Sequence, residues 1–180
     1  MTVAARDGLL ETLRALLAAR AEVNHAETDG VTALVLAAVN GHVEALRALL
    51  EAGAEVNHAA NDGHAALYAA AQNGHVEALR ALLEAGPEVN HAANDGWTAL
   101  HAAAQNGHLE TVRALVAAGA DLNCATNYGR RPLAIAQAPS LSRKPNATRR
   151  RHRLSCKRVP PSDRCTLVCI LAPQPATPHV

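Results

Sequence analysis

Ten histidines and four cysteines in a chain of 180 residues raise metal chemistry first. A structural zinc site needs four such ligands around one ion, at about 2.0–2.3 Å. Six of the histidines fall into two registers, His25, His58, His91 and His42, His75, His108, with 33 residues between successive members. Histidines one such interval apart cannot share an ion, so their expected work is structural. His152, Cys156, Cys165 and Cys169 offer four ligands in one segment. Only the last pair approaches the tight Cys-x2–4-Cys spacing of a zinc knuckle, and no metal is expected there. Nucleophilic catalysis fares no better. Ser140, Ser142, Ser155 and Ser162 lie in the same segment with no ordered histidine or carboxylate to act as base. No glycine-rich phosphate loop occurs, because the glycines follow the 33-residue interval too. The chain is expected to be no enzyme and to hold no cofactor.

The elements behind that interval explain the pattern. His91–Asn123 overlays His58–Asn90 when shifted back by 33 residues, and His25–Asn57 when shifted again. A fixed period of this length marks a stacked repeat. In each copy a turn signal comes first: Asp29-Gly30, Asp62-Gly63, Asp95-Gly96. First helices are predicted over Ala33–Asn40, Ala66–Asn73 and Ala99–Asn106, ended by Asn-Gly. Thr32 and Thr98 are placed to cap them, whereas Ala65 cannot, at a cost of about 1 kcal/mol. Second helices follow over His42–Glu51, His75–Glu84 and His108–Ala117, with the apolar stripe Val43, Leu46, Leu49, Leu50 at helical period. The chain has no Phe, one Trp and two Tyr. A core of Ala and Leu implies thin helices packed closely.

These motifs resemble the ankyrin repeats. The resemblance rests on Asp95-Gly96-x-Thr98-x-Leu100-His101-x-Ala103, on Asn106-Gly107-His108 and on Ala118-Gly119-Ala120-Asp121-Leu122-Asn123, all in register. It implies an all-α ankyrin-repeat solenoid of helix–turn–helix pairs with short β-hairpin turns, covering residues 3–138. Within it, 3–24 is a truncated repeat, 25–57, 58–90 and 91–123 are full repeats, and 124–138 is a partial one. In the truncated copy most of the first helix is expected to be missing. Arg20 stands there where later copies have Gly53, Gly86 and Gly119, so a looser helix end is expected. At the other end Pro139 replaces the Asn of Asn-Gly-His, leaving Val112, Leu115 and Val116 without their usual neighbour. The truncated first copy reads as an abbreviated cap or as the start of a fragment of a longer array.

Residues 1–138 carry 8 Arg against 15 carboxylates, and residues 139–180 carry 9 Lys and Arg against one Asp. Such asymmetry describes an acidic module with a basic tail. Residues 139–180 have seven Pro, no Gly and the run Arg149–Arg153. They are expected to be disordered and dispensable for folding, or else the product of a shifted or unspliced reading frame. No aromatic residue accompanies the arginines, which speaks against nucleic acid, and Asn146-Ala147-Thr148 fits a glycosylation sequon without a signal peptide. No membrane association is expected, and a cytoplasmic or nuclear protein is.

What remains is an interaction surface. One position after the turn glycine reads Val31, His64, Trp97 and Arg130, and one in the first helix reads Val35, Tyr68, His101 and Ala134. Both differ in every copy, while Leu34, Leu67, Leu100 and Leu133 do not. The resemblance implies that turn tips and first helices line the concave binding face. The expected partner-binding residues are therefore Val31, His64, Trp97, Arg130, Tyr68 and His101, flanked by Asp29, Asp62 and Asp95. Trp97 is expected to stand largely exposed. The expected partner is a protein of unspecified identity rather than a small-molecule substrate. Asn24, Asn57 and Asn90 each follow Leu-x5-Glu-Val, which resembles the asparagine-hydroxylation context of ankyrin repeats. A structural role within their own loops is the stronger expectation.

Overall fold

The computed structural model describes residues 1–137 and Ile170. Among them nine helices follow one another: α1 (Thr2–Arg6), α2 (Leu10–Ala18), α3 (Ala33–Asn40), α4 (Val43–Glu51), α5 (Ala66–Asn73), α6 (Val76–Glu84), α7 (Ala99–Asn106), α8 (Leu109–Ala117) and α9 (Pro132–Gln137). The odd-numbered helices stack in one row and the even-numbered helices in a second, each pair forming a hairpin across the rows. The core lies between them. Leu34, Leu67 and Leu100 fill it from the first row, and Leu13, Leu46, Leu79 and Val112 from the second. Each buried leucine contributes about 1.5–3 kcal/mol. Ala37, Ala70 and Ala103 are wholly buried in the first row. Their single methyl groups let neighbouring helices come close.

The full copies have the predicted first-helix bounds, and their second helices start one residue later than predicted, with His42, His75 and His108 at the N-cap. The hairpin turns appear as single antiparallel bridges, Ala26 to Thr32, Ala59 to Ala65 and Ala92 to Thr98. The fourth turn closes in the same way, with Thr126 N–H donating to the Arg130 carbonyl at 3.0 Å.

Three expectations need correction. The first copy keeps a short first helix, α1, whose Ala4 and Ala5 are buried beneath α3. The end of α2 is not loose. Arg20 takes the left-handed conformation itself, at φ +57°, and Ala21 N–H reaches the Leu16 carbonyl at 3.0 Å, just as Ala54 reaches Leu49. Thr32 caps nothing with its side chain, and α5 starts after Ala65 with the same extended backbone, whereas Thr98 forms a capping box with His101 at the start of α7. Val112 and Leu115 are fully buried on α8 and Val116 is half-buried.

Candidate binding surface

Each hairpin tip is built by its aspartate. Asp29, Asp62 and Asp95 accept the backbone N–H two residues on, from Val31, His64 and Trp97, at 3.1, 2.9 and 3.0 Å. This side-chain turn leaves the carboxylates exposed while fixing the backbone. The tips are also tied to one another. The aspartate carbonyls accept from Asn61, Asn94 and Asn127 N–H of the following copy, at 2.9, 3.1 and 3.0 Å. The side chains of these asparagines donate to Thr28, Asn61 and Asn94 carbonyls. Three acidic tips are thereby held in one line.

The variable residues sit on this frame unequally. His64 stacks on Tyr68, with ring centroids 3.9 Å apart and planes 15° apart. Its Nδ1 lies 2.7 Å from Asp62 Oδ2. Both rings are half-buried. Trp97 is half-buried as well, its ring tilted against His101 at 5.8 Å. The expectation of a largely exposed indole is wrong, because the helix residue four positions on is aromatic and gives the ring a surface to lie on. His101 is completely buried and cannot touch a partner. Its Nε2 donates to the Arg130 carbonyl at 3.1 Å, and its Nδ1 accepts the Thr98 N–H at 3.2 Å. Val31 is half-buried, Val35 is buried and Arg130 is exposed.

The family model for ankyrin repeats, in three copies, matches residues 1–93 and 86–140. The chain belongs to the ankyrin repeat family. A comparison with curated proteins found no match. Ankyrin repeats are in general protein–protein interaction modules, typically non-catalytic.

The remaining polar repeats of this ankyrin array serve its own cohesion. His42, His75 and His108 donate from Nε2 to the Arg6, Val39 and Gln72 carbonyls of the preceding copy, at 2.9, 3.0 and 3.1 Å. His58 and His91 do the same to Gly30 and Gly63, at 3.1 and 3.0 Å. Asn24, Asn57 and Asn90 do not serve their own loops. They accept the N–H of Glu55, Glu88 and Asp121 in the next copy, at 2.9, 2.8 and 2.7 Å. Among the described residues no group of three or more His, Cys, Asp or Glu could hold a metal ion. None of their helices is long and apolar enough to cross a membrane. The ligand set from His152 to Cys169, the arginine run and the sequon lie outside the described residues.

Electrostatics single out the middle tips. Burial pushes the Tyr68 hydroxyl up to about 12, helped by the nearby Asp95 and Asp62 charges. At Asp62 burial acts upward, but the hydrogen bonds from His64 outweigh it and hold the carboxyl below its ordinary value. A hollow beside Tyr68, between Val56, Pro87, Val89 and Ala99, has room for no more than about one water molecule. Sequence reasoning missed Tyr128. It occupies the fourth tip in place of an aspartate and is highly exposed, with the Thr126 hydroxyl accepting its N–H at 3.4 Å. The departure of Tyr128-Gly129 from the Asp-Gly of the other three turns is the signal that could have found it.

Proposed function

We propose that this ankyrin array is a non-catalytic module that binds a partner protein along its hairpin tips and first helices. The partner presents basic groups to Asp29, Asp62 and Asp95 and an apolar anchor to the ledge of His64, Tyr68 and Trp97. The observation that carries this reading is the stacked His64–Tyr68 pair beside Asp62, flanked by exposed carboxylates on a common line. The inter-repeat bonds do not require those rings. Tyr128 and Arg130 extend the surface at the fourth tip and replace its acid with a hydroxyl and a cation. Val31 belongs to the surface at the first tip, and the buried His101 frames it without touching the partner.

The test is affinity capture with the native chain and with Asp29→Asn/Asp62→Asn/Asp95→Asn. Asparagine keeps the oxygen that accepts the turn N–H, so the tips stay folded while the charge goes. A true partner should be held by the native chain, released by raised salt and lost by the triple variant. Trp97→Ala should weaken its binding by about 2 kcal/mol if the indole is an anchor. Equal capture by all three proteins would place the binding elsewhere.

A further inference from the structure

The chain has one Trp, two Tyr and no Phe, and its hydrophobic core uses none of them. Two of the three, Tyr68 and Trp97, stand in adjacent copies at the two variable positions, and both are half-buried. The same positions hold Val31 and Val35 in the copy before, and Arg130 and Ala134 in the copy after. Asp95 links the two rings. Its Oδ1 accepts the Trp97 N–H at 3.0 Å, and its charge helps burial to raise the Tyr68 hydroxyl. The other oxygen of Asp95 and the Tyr68 hydroxyl make no hydrogen bond among the described residues. Asp62 differs, because both its oxygens are engaged by His64, Oδ1 by the backbone N–H and Oδ2 by Nδ1. The His64 ring also covers one face of Tyr68. Between the second and third full copies there is thus aromatic surface beside one carboxylate oxygen that the fold does not use.

We propose that Tyr68, Asp95 and Trp97 form a recognition site for one lysine side chain of the partner protein, with its ammonium at Asp95 Oδ2 and the Tyr68 hydroxyl and its alkyl stem along the indole. The assignment rests on the reading of the tips as a binding surface, and it merges two demands of that reading: the basic group and the apolar anchor are one side chain. Lysine meets both, because its apolar stem ends in a charge and its ammonium is attracted to aromatic faces. Arginine fits less well. A guanidinium is held most strongly by a carboxylate with both oxygens open to its planar fork. At Asp95 the turn already holds one oxygen, and at Asp62 both are taken. An ammonium is a compact charge with three donors, and one carboxylate oxygen beside a hydroxyl satisfies two of them.

Trp97 is the chain's single tryptophan, so its fluorescence reports on the site without a label. Titrating the full chain with Nα-acetyl-lysine amide should change that fluorescence saturably. Nα-acetyl-arginine amide should bind about tenfold more weakly. Nα-acetyl-norleucine amide, which has an apolar stem and no ammonium, should not saturate. Asp95→Asn keeps the oxygen that accepts the turn N–H and should weaken the lysine amide by about tenfold. Tyr68→Phe should weaken it less, and Asp29→Asn should leave it unchanged. No response to the lysine amide, equal binding of the arginine amide, or equal binding by Asp95→Asn would each overturn the site. The wider reading is judged separately, since it fails only when a whole partner is captured equally by Asp29→Asn/Asp62→Asn/Asp95→Asn.

Discussion

The imidazole of His101 joins two repeats, with its Nε2 3.1 Å from the Arg130 carbonyl oxygen across the boundary. The Thr98 N–H donates to Nδ1 on the other side of the ring, and this fixes the neutral form with its proton on Nε2. The ring is wholly buried, so alanine at 101 leaves a hole and the Thr98 N–H without its acceptor, while the Arg130 carbonyl keeps the Thr126 N–H. His101→Ala should destabilise the array by about 2–4 kcal/mol, read from urea denaturation. The fourth turn and α9 should lose exchange protection first.

The same ring gives the array a pH dependence. Burial lowers the His101 pKa from 6.5, against the opposing pull of its Arg130 and Cys124 backbone contacts and Asp95. Burial also lowers that of His108, with the charge of His75 adding to it. A depressed histidine means that the unfolded chain takes up protons before the folded one does. Stability should be full above pH 6.5 and fall as the pH drops from there through the lowered folded values. Thermal melts across this window should show the decline, and His101→Gln should flatten it.

Arg20 holds φ +57°, a conformation that costs an ordinary L-residue about 1–2 kcal/mol. Its side chain is exposed. Glycine should relieve the strain while losing some of the gain to the freer unfolded chain. Arg20→Gly is expected to stabilise by about 0.5–1 kcal/mol, measured as a higher denaturation midpoint at unchanged slope.

Two glycines of like backbone angle should answer differently to alanine. Gly74 and Gly86 have φ of +73° and +72°. A methyl at Gly74 would come within 2.6 Å of His108 Nδ1, whereas one at Gly86 meets nothing within 4 Å. Gly86→Ala should cost about 1 kcal/mol for its backbone alone. Gly74→Ala should cost at least about twice that, because it also pushes His108 off the Gln72 carbonyl. Parallel denaturation curves of the two variants decide the point.

Thr111 is fully buried where the two preceding copies have Ala45 and Ala78, and its hydroxyl makes no hydrogen bond among the described residues. A buried hydroxyl without a partner costs about 1–3 kcal/mol. Thr111→Ala removes that penalty at a site already shown to accept alanine in two copies. It should raise stability by about 1 kcal/mol in the same assay, and a loss instead would mean that the methyl group matters more than the hydroxyl.

The sequence by itself determined the repeat, the helices and their buried leucines. These follow from periodicity, and the turn and stop signals act within a few residues of where they stand. Asp29-Gly30 makes its turn locally, and Leu34 recurs on the inner face because a helix repeats every 3.6 residues. The roles of His101, Asn57 and Trp97 were decided by the tertiary structure. Asn57 meets its partner Glu88 only when the next copy is stacked in place, and Arg130 reaches His101 in the same way. Variation between copies marks His64, Trp97 and His101 alike. Only the packing separates them, since a ring that finds a neighbour four residues on lies down upon it, and one that finds a carbonyl across the boundary is buried.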